Sequence, residues 1–374
     1  MGKIQLVSEI RELNFSNSWL AEVQTEAINR AKNATNSMLQ GYNNHPDTMG
    51  GLYICSDTFK ELFPSFKKIE QRALVNDAIH NASAVLAATQ FEEVLKRPEP
   101  NKTKAVFITG IPGAGKTTSV KNFMMDSKVK LIFEGQLANP QSSIPKIEQC
   151  LQKNLAITIA VVHTAPEKAL ENTFKRFNEY GRGGSIEVMS SIQGNLPNGL
   201  RQLKAHFGDK INIIAIDRDN NNRILTDEQD IEKLINIGSK EEIFKRLELK
   251  LNQDFQSGKI SQECFNQAAK TNLGNIMTNQ RDYEIKNAQK LLSQNNPKLQ
   301  IRAELPQGIF RFTGKILLIT QNYVFQQNSE ITCQCHEKLR LTTIPNVGEN
   351  VKINYSTLTP KAKVEVLNTR KLKL

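Results

Sequence analysis

The chain has 374 residues, of which 39% are apolar and 23% charged, and carries a net charge of +11. A chain of this length can hold two or three hydrophobic cores, and the balance of apolar to charged residues excludes a disordered polyelectrolyte. The longest apolar run, LAITIAVV at 155–162, is far too short for a membrane-spanning helix.

The start, MGKIQLVSEIREL, has acids where a secretory signal has a basic end and an apolar core. Its sixth residue is not the Ser or Thr of a myristoylation signal, so a cytoplasmic protein is expected. Cysteines at 55, 150, 264, 333 and 335 are odd in number and scattered, which argues against a disulfide framework. The positive charge suits a polyanionic partner such as nucleic acid, or equally a nucleotide-handling enzyme with a basic surface.

Residues 1–49 read as an N-terminal helical segment, with Leu20, Val23, Ala27 and Ala31 at near-helical spacing. YNNHPDTMGG at 42–51 breaks that pattern and marks a boundary. From 50 to 220, apolar runs alternate with longer helical patterns. LYICS, AVFITG, KLIFEG, AITIAVVH and INIIAID are the expected strands, which predicts an α/β domain with a parallel sheet flanked by helices.

The first of these runs stops on Asp57. Strand carboxyl ends edge the ligand crevice of an open α/β sheet, which makes Asp57 a candidate base. The competing reading makes Ser56-Asp57 an ordinary N-cap for TFKELF.

GIPGAGKTT at 110–118 satisfies the phosphate-loop pattern and lies between a strand and a helical run. Gly110, Ile111, Pro112, Gly113, Ala114, Gly115, Lys116, Thr117 and Thr118 are therefore expected to cradle the phosphates of ATP on backbone N–H groups. Lys116 would pair with the β and γ phosphates, and the Thr117 hydroxyl would hold Mg²⁺. The fold class is thus a P-loop kinase-like α/β domain.

Glu134 ends KLIF as Asp57 ends LYICS, and is expected on the same crevice. NTFKRFNEYGRGG at 172–184 runs a helix carrying Arg176 into a glycine-rich stretch carrying Arg182, the form of a lid that closes over a transferring phosphoryl group. A solvated helix face bearing Lys175 and Arg176 is the competing view.

Residues 221–300 are polar and read as a helical spacer, with helices over DEQDIEKLINI and EEIFKRLELKLNQDF. After Pro306 the period changes to two, in GKILLITQNYVFQQ, LRLTTIP, ENVKINYS and KAKVEVL. A small antiparallel β domain over 301–374, built as a compact barrel, is expected. CQCH at 333–336 offers zinc-type donors without a second pair; the alternative is a strand with Cys333 and Cys335 on one face and His336 on the other. The basic run at 361–374 reads as a solvated tail.

Segment 52–220 resembles the zeta-toxin family of P-loop kinases, which phosphorylate UDP-N-acetylglucosamine in plasmid toxin–antitoxin systems. The likeness rests on PGAGKTT, ICSDTFKELFPSF, LIFEG and FKRFNEYGRG. It implies that Lys116 binds phosphate, Asp57 is the base, Glu134 contacts a sugar-nucleotide acceptor, and Arg176 and Arg182 clamp the transition state, with ATP and Mg²⁺ as cofactors and an antitoxin as partner. In the usual family order the Asp-Thr-Phe-Lys strand follows the phosphate loop; here it precedes it. After Glu134 the chain reads GQLANP where the family tends to GTxR, so the acceptor pocket differs. The C-terminal segment is similar to KfrB-type domains of plasmid maintenance and conjugation proteins. That likeness implies a second reading, in which the chain is an ATP-binding plasmid factor acting through its basic β domain on DNA or a partner protein.

Overall fold

A computed structural model of the chain describes residues 2, 4–269, 273–303, 310–320, 322–356 and 359–367. Pro306 and Gly308, at the expected entry to the β domain, and 368–374 of the basic run lie outside the described residues. The chain divides into two compact units, one of residues 1–14 and 23–271, the other of residues 15–22 and 272–374.

Helix α1 (Ser18–Asn33) has its residues to Glu22 in the second unit and the rest in the first, which also holds α2 (Thr35–Asn43); residues 4–17 are not helical, unlike the expectation for 1–49. Then follow β1 (Tyr53–Ile54), α3 (Ser56–Lys60), α4 (Ile69–Lys96), β2 (Lys104–Thr109), α5 (Lys116–Met124) and β3 (Val129–Glu134). The chain continues through α6 (Ile144–Gln152), β4 (Ala156–His163), α7 (Pro166–Tyr180), α8 (Ile186–Phe207), β5 (Ile211–Asp217) and β6 (Arg223–Leu225). Helices α9 (Glu228–Ile235), α10 (Lys240–Gln256) and α11 (Gln262–Ala269) complete it.

The sheet runs β1-β3-β2-β4-β5-β6, parallel throughout except for the hairpin strand β6. Every expected strand is present. β1, first in sequence, lies at the sheet edge beside β3, so the strand carrying Glu134 separates it from the phosphate-loop strand β2. With only two residues paired, β1 depends on a side chain for its shape. The buried Tyr42 hydroxyl donates to the Tyr53 carbonyl (2.9 Å) and accepts from the Cys55 N–H (2.8 Å), while its ring stacks on Phe59 at 3.8 Å.

The helices expected as a spacer pack onto this unit. A Ser239/Glu242 capping box starts α10, and Ile243, Leu247 and Leu251, four residues apart, share one core with Val106, Ile108, Val162 and Leu170. Cys264 and Ala268 of α11 join the same core. The polarity of 221–269 comes from their outer faces, and the compact unit extends to 271 rather than ending near 220.

The second unit contains α12 (Leu273–Asn295), β7 (Gln300–Arg302), β8 (Arg311–Ile319), β9 (Tyr323–Gln327), β10 (Thr332–Glu337), β11 (Asn350–Ser356) and β12 (Thr359–Val366). Its strands form one sheet, β12-β11-β8-β9-β10-β7, with β7 parallel to β10. Among the described residues this is an open order with β12 and β7 at its ends, in place of the all-antiparallel barrel expected. LRLTTIP is a short 3-10 turn and a single bridge, not a strand.

CQCH lies on β10 as a two-faced strand. Cys333 and Cys335 are buried with Phe325 and Ala288, and His336 is buried on the opposite face.

Candidate active site

The phosphate loop takes its shape from glycines in backbone conformations that side chains resist: φ is +146° at Gly110, +82° at Gly113 and +90° at Gly115. A Cβ on Gly110 would overlap the Val162 carbonyl oxygen, and one on Gly113 the carbonyl oxygen of Ala169. Asn172 donates to the Gly113 carbonyl (3.0 Å) and Thr164 to that of Ala114 (3.3 Å), so α7 and the end of β4 brace the loop. Ile111 and Ala114 are buried in the core, and Thr117 and Thr118 are exposed at the start of α5.

Lys116 folds back into the loop. Its ammonium donates to the carbonyls of Gly110 (2.8 Å) and Ile111 (3.1 Å) and stands 3.5 Å from a Glu134 oxygen. The other Glu134 oxygen accepts from the Tyr53 hydroxyl. The positive-φ cradle, the Lys116 ammonium within it and the exposed Thr117 at the helix start fit a Mg²⁺-nucleotide triphosphate.

Asp57 does not cap α3. Cys55 occupies the N-cap position, and no side chain makes the cap bond. The carboxylate instead pairs with Lys60 (2.8 Å) and with Arg182 (3.3 Å). Desolvation raises its pKa, but the charges of Lys60, Arg182 and Arg176 outweigh that and hold it well below the ordinary carboxylate range. Desolvation, then the charges of Glu134 and Asp57, push the Cys55 thiol up to about 12.

The arginines separate into different settings. Arg182 bridges Asp57 and Glu61 (2.8 Å), lies over the Phe66 ring at 6.0 Å, and is half-buried. Arg176 is half-buried beside an exposed Lys175 and reaches Asp57 through its field. The GRGG stretch expected as a flexible lid is packed down. Gly181 caps α7 at φ +64° and sits against the Ile69 carbonyl, while a Cβ on Gly184 would come within 2.8 Å of Pro112.

Several residues here were not singled out from sequence. Buried Lys60 donates to Asn76 of α4 (2.7 Å) as well as pairing with Asp57. Arg72 of the same helix binds Glu61 at 2.6 Å. Lys60 stood in the quoted DTFK stretch; Asn76 and Arg72, in an unremarkable helix, offered no signal.

A phosphate loop between a central parallel strand and a helix N-terminus, with Glu134 ending the neighbouring strand β3 and Asp57 just past the edge strand β1, defines a P-loop kinase-like domain. Residues 118–230 match the Zeta toxin family model and residues 311–365 the KfrB Domain model. The first match begins past Asp57 and Lys116. One similar solved structure comes from the PezAT chromosomal toxin–antitoxin system of Streptococcus pneumoniae; it is 14% identical, covers 65% of this chain and 98% of its own, and has a TM-score of 0.34. No curated protein matches the chain. No described helix is long and apolar enough to cross a membrane.

Proposed function

We propose that the first unit is an ATP-dependent phosphotransferase of zeta-toxin type, acting on a hydroxyl of UDP-N-acetylglucosamine or a related small molecule. The observation that carries this reading is the placement of Asp57, ionised and held by Lys60 and Arg182, just past β1, the strand paired with the one that ends in the Glu134 Lys116 touches. Lys60, Arg72, Lys116, Arg176 and Arg182 outnumber Asp57, Glu61 and Glu134, five cations to three acids, and the surplus suits a polyanionic nucleotide.

In this reading the loop and Lys116 hold the phosphates, and Glu134 orients the acceptor. Asp57 takes the proton of the acceptor hydroxyl as its oxygen bonds to the γ-phosphorus. The bond from that phosphorus to the bridging oxygen breaks, and ADP leaves. Arg182 and Arg176 face the charge of the transferring group. Thr117 would hold Mg²⁺, which offsets phosphate charge when bound. An antitoxin partner and the cytoplasm are the setting that goes with this activity.

The test is incubation with Mg²⁺·ATP and UDP-N-acetylglucosamine, with mass spectrometry for a product heavier by one phosphoryl group. Product is expected from the wild type and from neither Lys116→Ala nor Asp57→Asn, the latter still binding ATP. Normal turnover by Asp57→Asn removes Asp57 from the mechanism.

One observation favours the second reading, DNA contact by the second unit. Register places Arg311 and Lys315 of β8, Lys352 of β11 and Lys363 of β12 on one sheet face, with Glu365 the acid among them. Binding of a DNA duplex that weakens steeply with salt supports this reading, and no binding at low salt counts against it.

A further inference from the structure

The turn between β5 and β6 brings a cation to the phosphate loop that the reading above leaves unused. Arg218 follows Asp217 at the carboxyl end of β5, and its N–H donates to the His163 carbonyl at the end of β4 (2.9 Å). Its side chain lies across Gly115. A Cβ built there would stand 3.0 Å from Nε, 3.3 Å from Cζ and 3.4 Å from Nη2, so the guanidinium packs closely against the residue preceding Lys116.

Among the described residues no hydrogen bond or ion pair engages that guanidinium, although Arg218 is half-buried and flanked by two acids. Both flanking acids are otherwise engaged. Asp219 accepts from the Ala165 N–H (2.6 Å) and pairs with Lys168 (2.7 Å), and Asp217 accepts the Asp219 N–H (3.1 Å). Positive φ at Asn221 and Asn222, +51° and +58°, tightens the turn that presents Arg218. A planar fork of donors with no partner, set on a glycine of a phosphate cradle, is suited to bind phosphate oxygens.

We infer that Arg218 is a nucleotide-binding residue, supplying from the β5–β6 turn a second cation to the phosphate chain held by the loop. This rests on the nucleotide site proposed above. It also gives a reason for glycine at 115 beyond its φ, because any side chain there would displace the arginine.

The experiment is calorimetric binding of Mg²⁺·ATP, and separately of inorganic tripolyphosphate, to the full chain as wild type, Arg218→Gln and Arg218→Lys, with thermal melts to show that all three fold. Arg218→Gln is expected to weaken both ligands in parallel, roughly tenfold to a hundredfold, with Arg218→Lys between. Undiminished binding by Arg218→Gln, against a wild type that binds, overturns this inference alone. A loss confined to ATP overturns the phosphate role, because the arginine then serves the nucleoside. A wild type that binds neither ligand overturns this inference and the nucleotide site together.

Discussion

Arg182 Nη2 stands 3.3 Å from an oxygen of Asp57, and Nη1 of the same guanidinium is 2.8 Å from Glu61. One planar cation thus joins the proposed base to a second acid, and the ring of Phe66 lies on its path. A lysine cannot span both carboxylates in this way. Arg182→Lys is therefore expected to lower kcat about a hundredfold or more while ATP affinity changes little, because in the proposed mechanism Arg182 serves the base and the transferring group and not the loop. Single-turnover transfer alongside ATP titration measures the split; a fall in ATP affinity that matches the fall in rate rejects it.

Lys60 sets the ionisation of Asp57. Asp57 also faces Arg182 and Arg176, the Cys55 thiol behind it, and His80 on α4, whose pKa desolvation and then Lys60 lower. With Lys60 in place, Asp57 stays a carboxylate to well below its ordinary value, so the acid limb of kcat/KM assigned to it lies below about pH 4. Lys60→Met removes the nearest charge, so the Asp57 pKa rises and the limb moves to higher pH. A rate that falls with the limb unmoved would leave Lys60 as a packing residue only.

Gly113 of the phosphate loop and Gly50 of the turn before β1 make a matched pair of glycine substitutions. Gly50 has φ +73° with nothing within 4 Å of a built Cβ, so Gly50→Ala is expected to cost only backbone strain, about 1 kcal/mol. Gly113, at φ +82°, would also drive its Cβ into the Ala169 carbonyl, which raises the expected cost to about 3 kcal/mol or more. Denaturant unfolding compares the two, and ATP binding is expected to be lost only in Gly113→Ala. Equal costs would mean that α7 moves aside freely.

The strands of the first unit and the two strand-end acids were legible because each apolar run is short, β-branched and bounded by a charge or a glycine. What sequence could not supply was which long-range neighbours those charges would meet. Asp57-Thr58-Phe59-Lys60 permits an N-cap as readily as an ion pair; Arg182, far along the chain, decides it by arriving at 3.3 Å. The helices over 228–269 read as a spacer in sequence because their apolar residues are diluted by Lys, Glu and Gln. Ile243, Leu247 and Leu251 nevertheless fall on one stripe, enough to bury a helix whose remaining surface is charged. LRLTTIP alternates as a strand would, but its first residues belong to a 3-10 turn and, among the described residues, it finds one bridge partner.

His336 carries the last prediction, which concerns the second unit. It is fully buried, with Nε2 beside the Gln326 Oε1 (3.1 Å) and Nδ1 beside the Tyr355 hydroxyl (2.9 Å). Gln326 donates its amide to the carbonyls of Val351 (2.8 Å) and Gly314 (3.2 Å), so its oxygen must accept. The neutral imidazole therefore carries its proton on Nε2 and accepts from Tyr355 on Nδ1. Burial, and then the Arg340 charge, lower its pKa to about 3. In the unfolded chain the same group titrates near 6.5, so as pH falls below that value the unfolded state takes up the proton first. Stability is thus complete above about pH 6.5 and is lost progressively toward pH 3, at up to about 1.4 kcal/mol per pH unit. Trp19, the single tryptophan, is buried and belongs to this unit, so its fluorescence reports the transition in urea. His336→Leu leaves Gln326 Oε1 and the Tyr355 hydroxyl unpaired and should be the less stable protein at pH 7. Lacking the titrating ring, it should close that gap on the wild type as the pH is lowered to 4, whereas parallel loss of stability in the two proteins would show that the network does not sense protons.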